Sequence, residues 1–136
     1  MKTTYLCSIK YNVMEIEIQK KVIPLFHKDK LVFLVNGVEI GSIIVENRKD
    51  YYFKTKHKLP FNKKCCYLYN FEILESYRNK GYGHQVLQYI KKEYLNTCVV
   101  LDVLQENKRA KHLYKSENFK LFENNSYYYE TMIFKP

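Results

Sequence analysis

The chain has 136 residues and a formal net charge of +9, and apolar residues make up 46% of it. That length sets a single domain, residues 1–136, as the expectation and suffices to bury about two thirds of the unfolded surface, while evenly spread apolar residues exclude a disordered chain. No apolar run reaches the ~20 residues of a membrane span, and Thr3, Thr4, Ser8 and Lys10 interrupt any signal-peptide core, so the expected setting is the cytoplasm.

In chain order, 4–10 reads as a strand, and "VMEIEIQ" (13–19) alternates Met14, Ile16 and Ile18 against Glu15 and Glu17, the pattern of a half-buried strand. "LVFLVNGVEIGSIIVE" (31–46) reads as a hairpin turning at Asn36-Gly37. The segment 50–55 is the next strand, 56–64 a basic loop broken by Pro60, and "CCYLYNFEIL" (65–74) a long strand. Apolar residues at 86, 87, 90, 94 and 95 mark a helix over 81–95. A buried strand (98–104) follows, then a helix over 107–118 with Asn107 as N-cap and Asn118 as left-handed stop. The segments 119–123 and 127–134 close the chain as a hairpin. The order gives an α+β fold with one βαβ crossover.

Two compositional signals carry less. The positive charge points toward phosphate or nucleic acid, yet 20 of the 23 basic residues are Lys, and abundant Lys, Asn, Tyr and Ile together are what an AT-rich genome produces. Of the cysteines, Cys7, Cys65, Cys66 and Cys98, none forms a Cys-x-x-Cys pair or zinc spacing, so reduced thiols and no metal are expected.

The chemistry concentrates at "RNKGYG" (78–83), between a strand and a helix. A P-loop requires Lys and Ser or Thr after its last glycine, where His84 and Gln85 stand. A dinucleotide fingerprint requires a third glycine, where Val86 stands; Asp102 mimics its ribose-binding acid, but the chain after Gly83 is too short for a doubly wound sheet. What remains is R-x-x-G-x-G. A helix start leaves N–H groups without partners and carries partial positive charge, glycines let the backbone approach a diphosphate, and Arg78 and Lys80 add charge.

A companion segment, "VVLDVLQENKRAKHLYKSENF" (99–119), supplies Asn107, Ala110, Leu113, Tyr114 and Phe119. Together the two segments resemble the GNAT acetyltransferase superfamily over residues 67–123. The resemblance implies a central mixed, mostly antiparallel sheet, splayed between the strands at 66–74 and 98–104 to hold acetyl-CoA. It places pantetheine along Phe71, Glu72 and Ile73, the diphosphate on Arg78, Asn79, Lys80, Gly81, Tyr82, Gly83 and His84, and further cofactor contacts at Asn107 and Tyr114. The reaction implied is direct acetyl transfer to a primary amine in a ternary complex, with Tyr114 as acid, Asp102, Glu72 or water as base, and an N–H near Phe71 or Ile73 for the oxyanion.

Departures from the family pattern are Asn118 in place of glycine, Glu75 in place of proline, and a short stretch at 20–30 holding Pro24, where relatives have two helices. Reduced N-terminal helices imply an open acceptor cleft suited to a protein or peptide amine. Alternative acceptors are aminoacyl-tRNA, from the basic loop 56–64 and helix 108–115, or a small-molecule amine. A non-catalytic CoA-binding regulatory module is the remaining alternative. The chain is expected to be a monomer or a homodimer, the tyrosines 127–129 offering a partner surface.

Overall fold

The computed structural model describes residues 3–11, 14–48, 64–124 and 128–136. Eight strands run β1 (Thr3–Tyr11), β2 (Met14–Ile23), β3 (Lys28–Val35), β4 (Val38–Arg48), β5 (Lys64–Ile73), β6 (Thr97–Leu104), β7 (Lys120–Asn124) and β8 (Tyr129–Phe134), with α1 (Tyr82–Glu93) after β5 and α2 (Lys108–Ser116) after β6. They form one sheet in the order β1-β2-β3-β4-β5-β6-β8-β7. Neighbouring strands are antiparallel except β5 and β6, which the α1 crossover makes parallel. The predicted strand at 50–55, nearly all of the loop at 56–64, and the tip of the last hairpin lie outside the described residues.

Alternation decides which side chains enter the core. Ile16 and Ile18 of β2, Leu31 and Phe33 of β3, Ile43 and Val45 of β4, Cys66 and Leu68 of β5 and Val99 and Leu101 of β6 share one buried cluster with Val86, Leu87 and Ile90 of α1 and Tyr114 of α2. Both helices therefore pack on one face of the sheet. The other face carries a smaller cluster of Cys65, Cys98, Val100 and Ile133 with Tyr67 and Phe122. Cys65, Cys66 and Cys98 are buried and none is in a disulfide, and burial pushes the Cys66 thiol up to about 12, as expected of an inert core sulfur.

The predicted hairpin is longer than its apolar run. β3 begins at Lys28 and includes Asp29, which is 7% exposed. Its carboxylate accepts from the Tyr94 hydroxyl at 2.5 Å and faces Lys20 at 3.8 Å. A buried acid with partners from elsewhere in the chain reads as a break in a periodic pattern, although it does not break the strand. β2 likewise runs on to Ile23, and a single 3-10 turn, Pro24–Phe26, joins it to β3 with His27 in the left-handed region (φ 53°). The short stretch at 20–30 is thus a tight connection that leaves Leu25 and Phe26 exposed.

The feature that matters for function is where β5 leaves β6. Their pairing runs from Lys64↔Thr97 to Leu68↔Leu101 and stops, while β5 continues against β4 through Glu72↔Ser42 and Ile73↔Gly41. The β4–β5 register slips between Ser42 and Ile44, and Asn70 there adopts φ 54°. Such a bulge bends its strand and raises the local twist. Gly41 completes the arrangement: a Cβ built on it would lie 2.1 Å from the Glu72 carbonyl oxygen. Absence of a side chain lets the end of β5 lie against β4, and a wedge opens on the β6 side.

Candidate functional site

The wedge is the mouth of a cleft of about 1200 Å³. Its walls are Phe71, Glu72 and Ile73 on β5, the loop Tyr77 to Asn79, Gly81 to His84 at the start of α1, and Asn107, Arg109, Ala110, His112, Leu113 and Tyr114 on and before α2. Lys30, Ser42, Ile44 and Asn70 extend it over the sheet.

The start of α1 is built for an anion. Gly81 is the N-cap, left-handed at φ 86°, and no side chain caps the helix. The first backbone bond of α1 runs from Gln85 N–H to the Gly81 carbonyl at 3.2 Å. The N–H groups of Gly81, Tyr82, Gly83 and His84 meet no acceptor among the described residues. Elsewhere such donors are capped: at α2, Asn107 Oδ1 accepts from Ala110 N–H at 3.1 Å. An uncapped start opening into a cleft offers an anion the N–H groups of Gly81 to His84. Arg78 lines the same cleft, but its Nε donates to the Ile73 carbonyl at 2.7 Å; the side chain ties the end of β5 to the loop that follows.

The sequence-predicted residues divide. Phe71, Glu72, Ile73, Arg78, Asn79, Gly81, Tyr82, Gly83, His84, Asn107 and Tyr114 all line the cleft, while Lys80 does not. Tyr114 is 8% exposed, and burial pushes its phenol up to about 12. Its ring lies 5.8 Å from that of Phe119, and its hydroxyl meets no donor or acceptor among the described residues. An acid of this kind can act by full proton transfer or by a hydrogen bond. Passing a proton from a phenol at about 12 to a thiolate of ordinary pKa ~8.5 is uphill by about 5 kcal/mol, so Tyr114 is suited to donate a hydrogen bond while keeping its proton.

The two carboxylates also separate. Glu72 is exposed at the cleft wall and meets no cation or hydrogen-bond donor among the described residues. Asp102 is not among the cleft residues: its Oδ2 accepts from the Tyr67 hydroxyl and its Oδ1 from the Thr131 hydroxyl, each at 2.6 Å. Both oxygens are engaged in joining β5, β6 and β8.

Arg109 and His112 were not among the sequence candidates. Both are exposed and line the cleft. Their positions, two and five residues after the Asn107 cap, place them on the turns of α2 that precede Tyr114, a spacing visible in the sequence once the helix is oriented.

No group of three or more His, Cys, Asp or Glu residues able to hold a metal occurs among the described residues, and no helix of the structure is long and apolar enough to cross a membrane.

A splayed mixed sheet whose gap meets an uncapped helix start is the arrangement that the resemblance to the acetyltransferase class implies for an acetyl-CoA site. The family model for the acetyltransferase (GNAT) family matches residues 14–119. The chain belongs to that family, and acetyl-CoA is its co-substrate. Among solved structures, Arabidopsis thaliana NAA60 in complex with a bisubstrate analogue aligns at a TM-score of 0.64 and 14% identity, covering 80% of this chain and 75% of that one. Arabidopsis thaliana Naa50 in complex with the bisubstrate analogue CoA-Ac-MVNAL aligns at 0.61 and 16%, covering 79% and 72%. The aminoglycoside N(6')acetyltransferase from Legionella pneumophila aligns at 0.61 and 16%, covering 80% and 63%. These likenesses establish the fold. No curated protein matches the chain.

Proposed function

We propose that the protein is an N-acetyltransferase that moves the acetyl group of acetyl-CoA to a primary amine of a protein or peptide, by direct attack in a ternary complex. The observation that carries this reading is one cleft holding an uncapped helix start, a carboxylate on β5 with no partner among the described residues, and a buried phenol on α2. Acetyl-CoA supplies the thioester. Gly81 to His84 fix its diphosphate, and the edge of β5 that β6 abandons offers main-chain groups to the rest of the molecule, as an added strand would take them. Holding both substrates removes much of the entropic barrier.

An attacking amine must be neutral. Glu72, which has no cation or hydrogen-bond donor among the described residues and pairs with Ser42 across β4 and β5, is the base that takes a proton from the neutral amine as its bond to the acetyl carbon forms. Asp102, with both oxygens engaged, serves the sheet. Tyr114 stays protonated and donates a hydrogen bond to the sulfur as it departs. Support for a protein or peptide acceptor comes from the short 3-10 turn at Pro24–Phe26, none of whose residues lines the cleft. The neighbour Naa50 was captured with a peptide-bearing analogue.

The test is release of free CoA, with a 42 Da mass gain on the acceptor, from acetyl-CoA and a panel of peptides with free N-termini and lysines. Acetylation of peptides is expected. Turnover with an aminoglycoside and none with any peptide would move the acceptor to small amines. CoA binding without turnover on either would make the chain a binding module.

A further inference from the structure

α1 and α2 are joined by a buried carboxylate that the transfer chemistry does not use. Glu117 caps the end of α2, and its side chain is 8% exposed. Its backbone is fixed: Glu117 N–H donates to the Leu113 and Tyr114 carbonyls, each at 3.1 Å, and Asn118 then turns the chain at φ 68°. Three side chains of α1 converge on the carboxylate: His84 Nδ1 at 2.8 Å, Gln88 Nε2 at 3.2 Å and Lys91 Nζ at 3.0 Å. Burial alone would raise this carboxyl, but hydrogen bonds from His84 and Lys91, the Lys91 charge and the Gln88 bond more than offset it and hold it below the usual range. Glu117 is therefore an ionised acceptor, and the His84 nitrogen facing it carries a hydrogen.

That fixes what the other nitrogen does. His84 is the third residue of α1, lines the cleft, and keeps 42% of its side chain exposed. With Nδ1–H committed to Glu117, Nε2 lies on the far side of the ring. In the neutral ring Nε2 offers a lone pair, which repels an anion; in the imidazolium it offers a second N–H. Imidazole titrates between pH 5 and 8. The charged groups around it are Glu117 of α2 and Lys91 of α1, which pair with each other, and Glu72, Arg78, Arg109 and His112, which line the same cleft. A bound phosphate group supplies the acceptor that a second N–H would meet.

We propose that Glu117 is a positioning residue that orients His84 as a protonated, phosphate-binding side chain at the start of α1, so that CoA binds with uptake of a proton and loses affinity as pH rises. The proposal rests on the reading of the cleft as the CoA site. Either the diphosphate or the ribose phosphate of CoA supplies the anion. The sign follows from the charged form being the binding form: the contribution is present below the histidine's titration in the complex and is lost as pH rises through it.

The experiment is calorimetry with CoA between pH 6 and 8.5, in two buffers of different protonation enthalpy. Wild-type protein is expected to bind about fivefold to tenfold more tightly at pH 6 than at pH 8.5, the range for one partly exposed charge-assisted bond, and to take up protons on binding. His84→Gln gives the baseline due to titration of CoA itself and is expected to lose the added affinity at pH 6. His84→Arg is expected to bind tightly throughout with no uptake beyond that baseline. Glu117→Gln keeps the shape and several hydrogen bonds; it is expected to weaken binding at pH 6 about fivefold and to shift proton uptake to lower pH. Uptake that persists with dephospho-CoA assigns the contact to the diphosphate, and uptake lost with it assigns the ribose phosphate; both support the proposal. Unchanged affinity and proton count in Glu117→Gln and His84→Gln overturn it, as does a lower melting temperature in Glu117→Gln with an unchanged pH profile. No heat with CoA at any pH overturns the reading of the cleft itself.

Discussion

Replacing Tyr114 with Phe removes one oxygen and keeps the ring that packs 5.8 Å from Phe119. The hydroxyl has no protein partner among the described residues, so its loss leaves no donor or acceptor stranded, and the melting temperature is expected to stay level or rise slightly. Catalysis should respond differently. If the phenol donates to the sulfur only as negative charge develops there, it contributes a charge-assisted bond of about 1.5–3 kcal/mol in the transition state, or about 10- to 150-fold in rate. Binding of acetyl-CoA should be unchanged. Single-turnover acetyl transfer, read beside calorimetric affinity and thermal melting, separates these terms. Because burial puts the phenol at about 12, wild-type kcat should show no alkaline fall due to Tyr114 below about pH 11. Wild-type turnover in Tyr114→Phe would refute the reasoning and return the residue to a packing role.

Gly41→Val places a Cβ where the Glu72 carbonyl stands, 2.1 Å away; backbone must move, and urea unfolding should show a loss of about 2–4 kcal/mol together with loss of CoA binding in calorimetry. Glu72→Gln is expected to reduce kcat/KM at pH 7 at least about tenfold with CoA affinity intact. Asp102→Asn should do the reverse, lowering stability by about 1–3 kcal/mol through the Tyr67 and Thr131 bonds while turnover per folded molecule holds; steady-state rates and melting curves on both variants decide between them. Glu117 sits below its unfolded value of ~4.3, so its stabilisation is complete above that pH and lost as pH falls through the folded value. Acid titration of Glu117→Gln should therefore show a shallower decline below about pH 4 than wild type.

Much of this was legible in the residues. Asn36-Gly37 marked its turn, with φ 51° and 78°. Asn107 marked the start of α2 and Asn118 its left-handed exit. Gly81 marked the start of α1, where it is the left-handed N-cap at φ 86°, and both it and Gly83 line the cleft. What stayed hidden depends on the third dimension. Lys28 to Lys30 read as linker until Tyr94, 65 residues on, satisfies Asp29. Asp102 and Glu72 were equivalent as carboxylates on neighbouring strands; only strand register shows that one faces Thr131 and Tyr67 while the other lies beside Ser42, with no side-chain partner among the described residues. Glu117 gave no signal, since three of its partners come from a helix about 30 residues earlier.

Because β5 and β6 part company after Leu68 and Leu101, the polypeptide finishes folding with a seam unsewn, and a pantetheine arm lying in it would brace the fold as well as carry the acetyl group. Any molecule that occupies the folded form alone stabilises it by mass action, about 2.7 kcal/mol at one hundred times its dissociation constant. Lifetime of the enzyme against proteolysis should then follow the supply of its own acyl donor, so that starvation for coenzyme removes the catalyst along with the substrate.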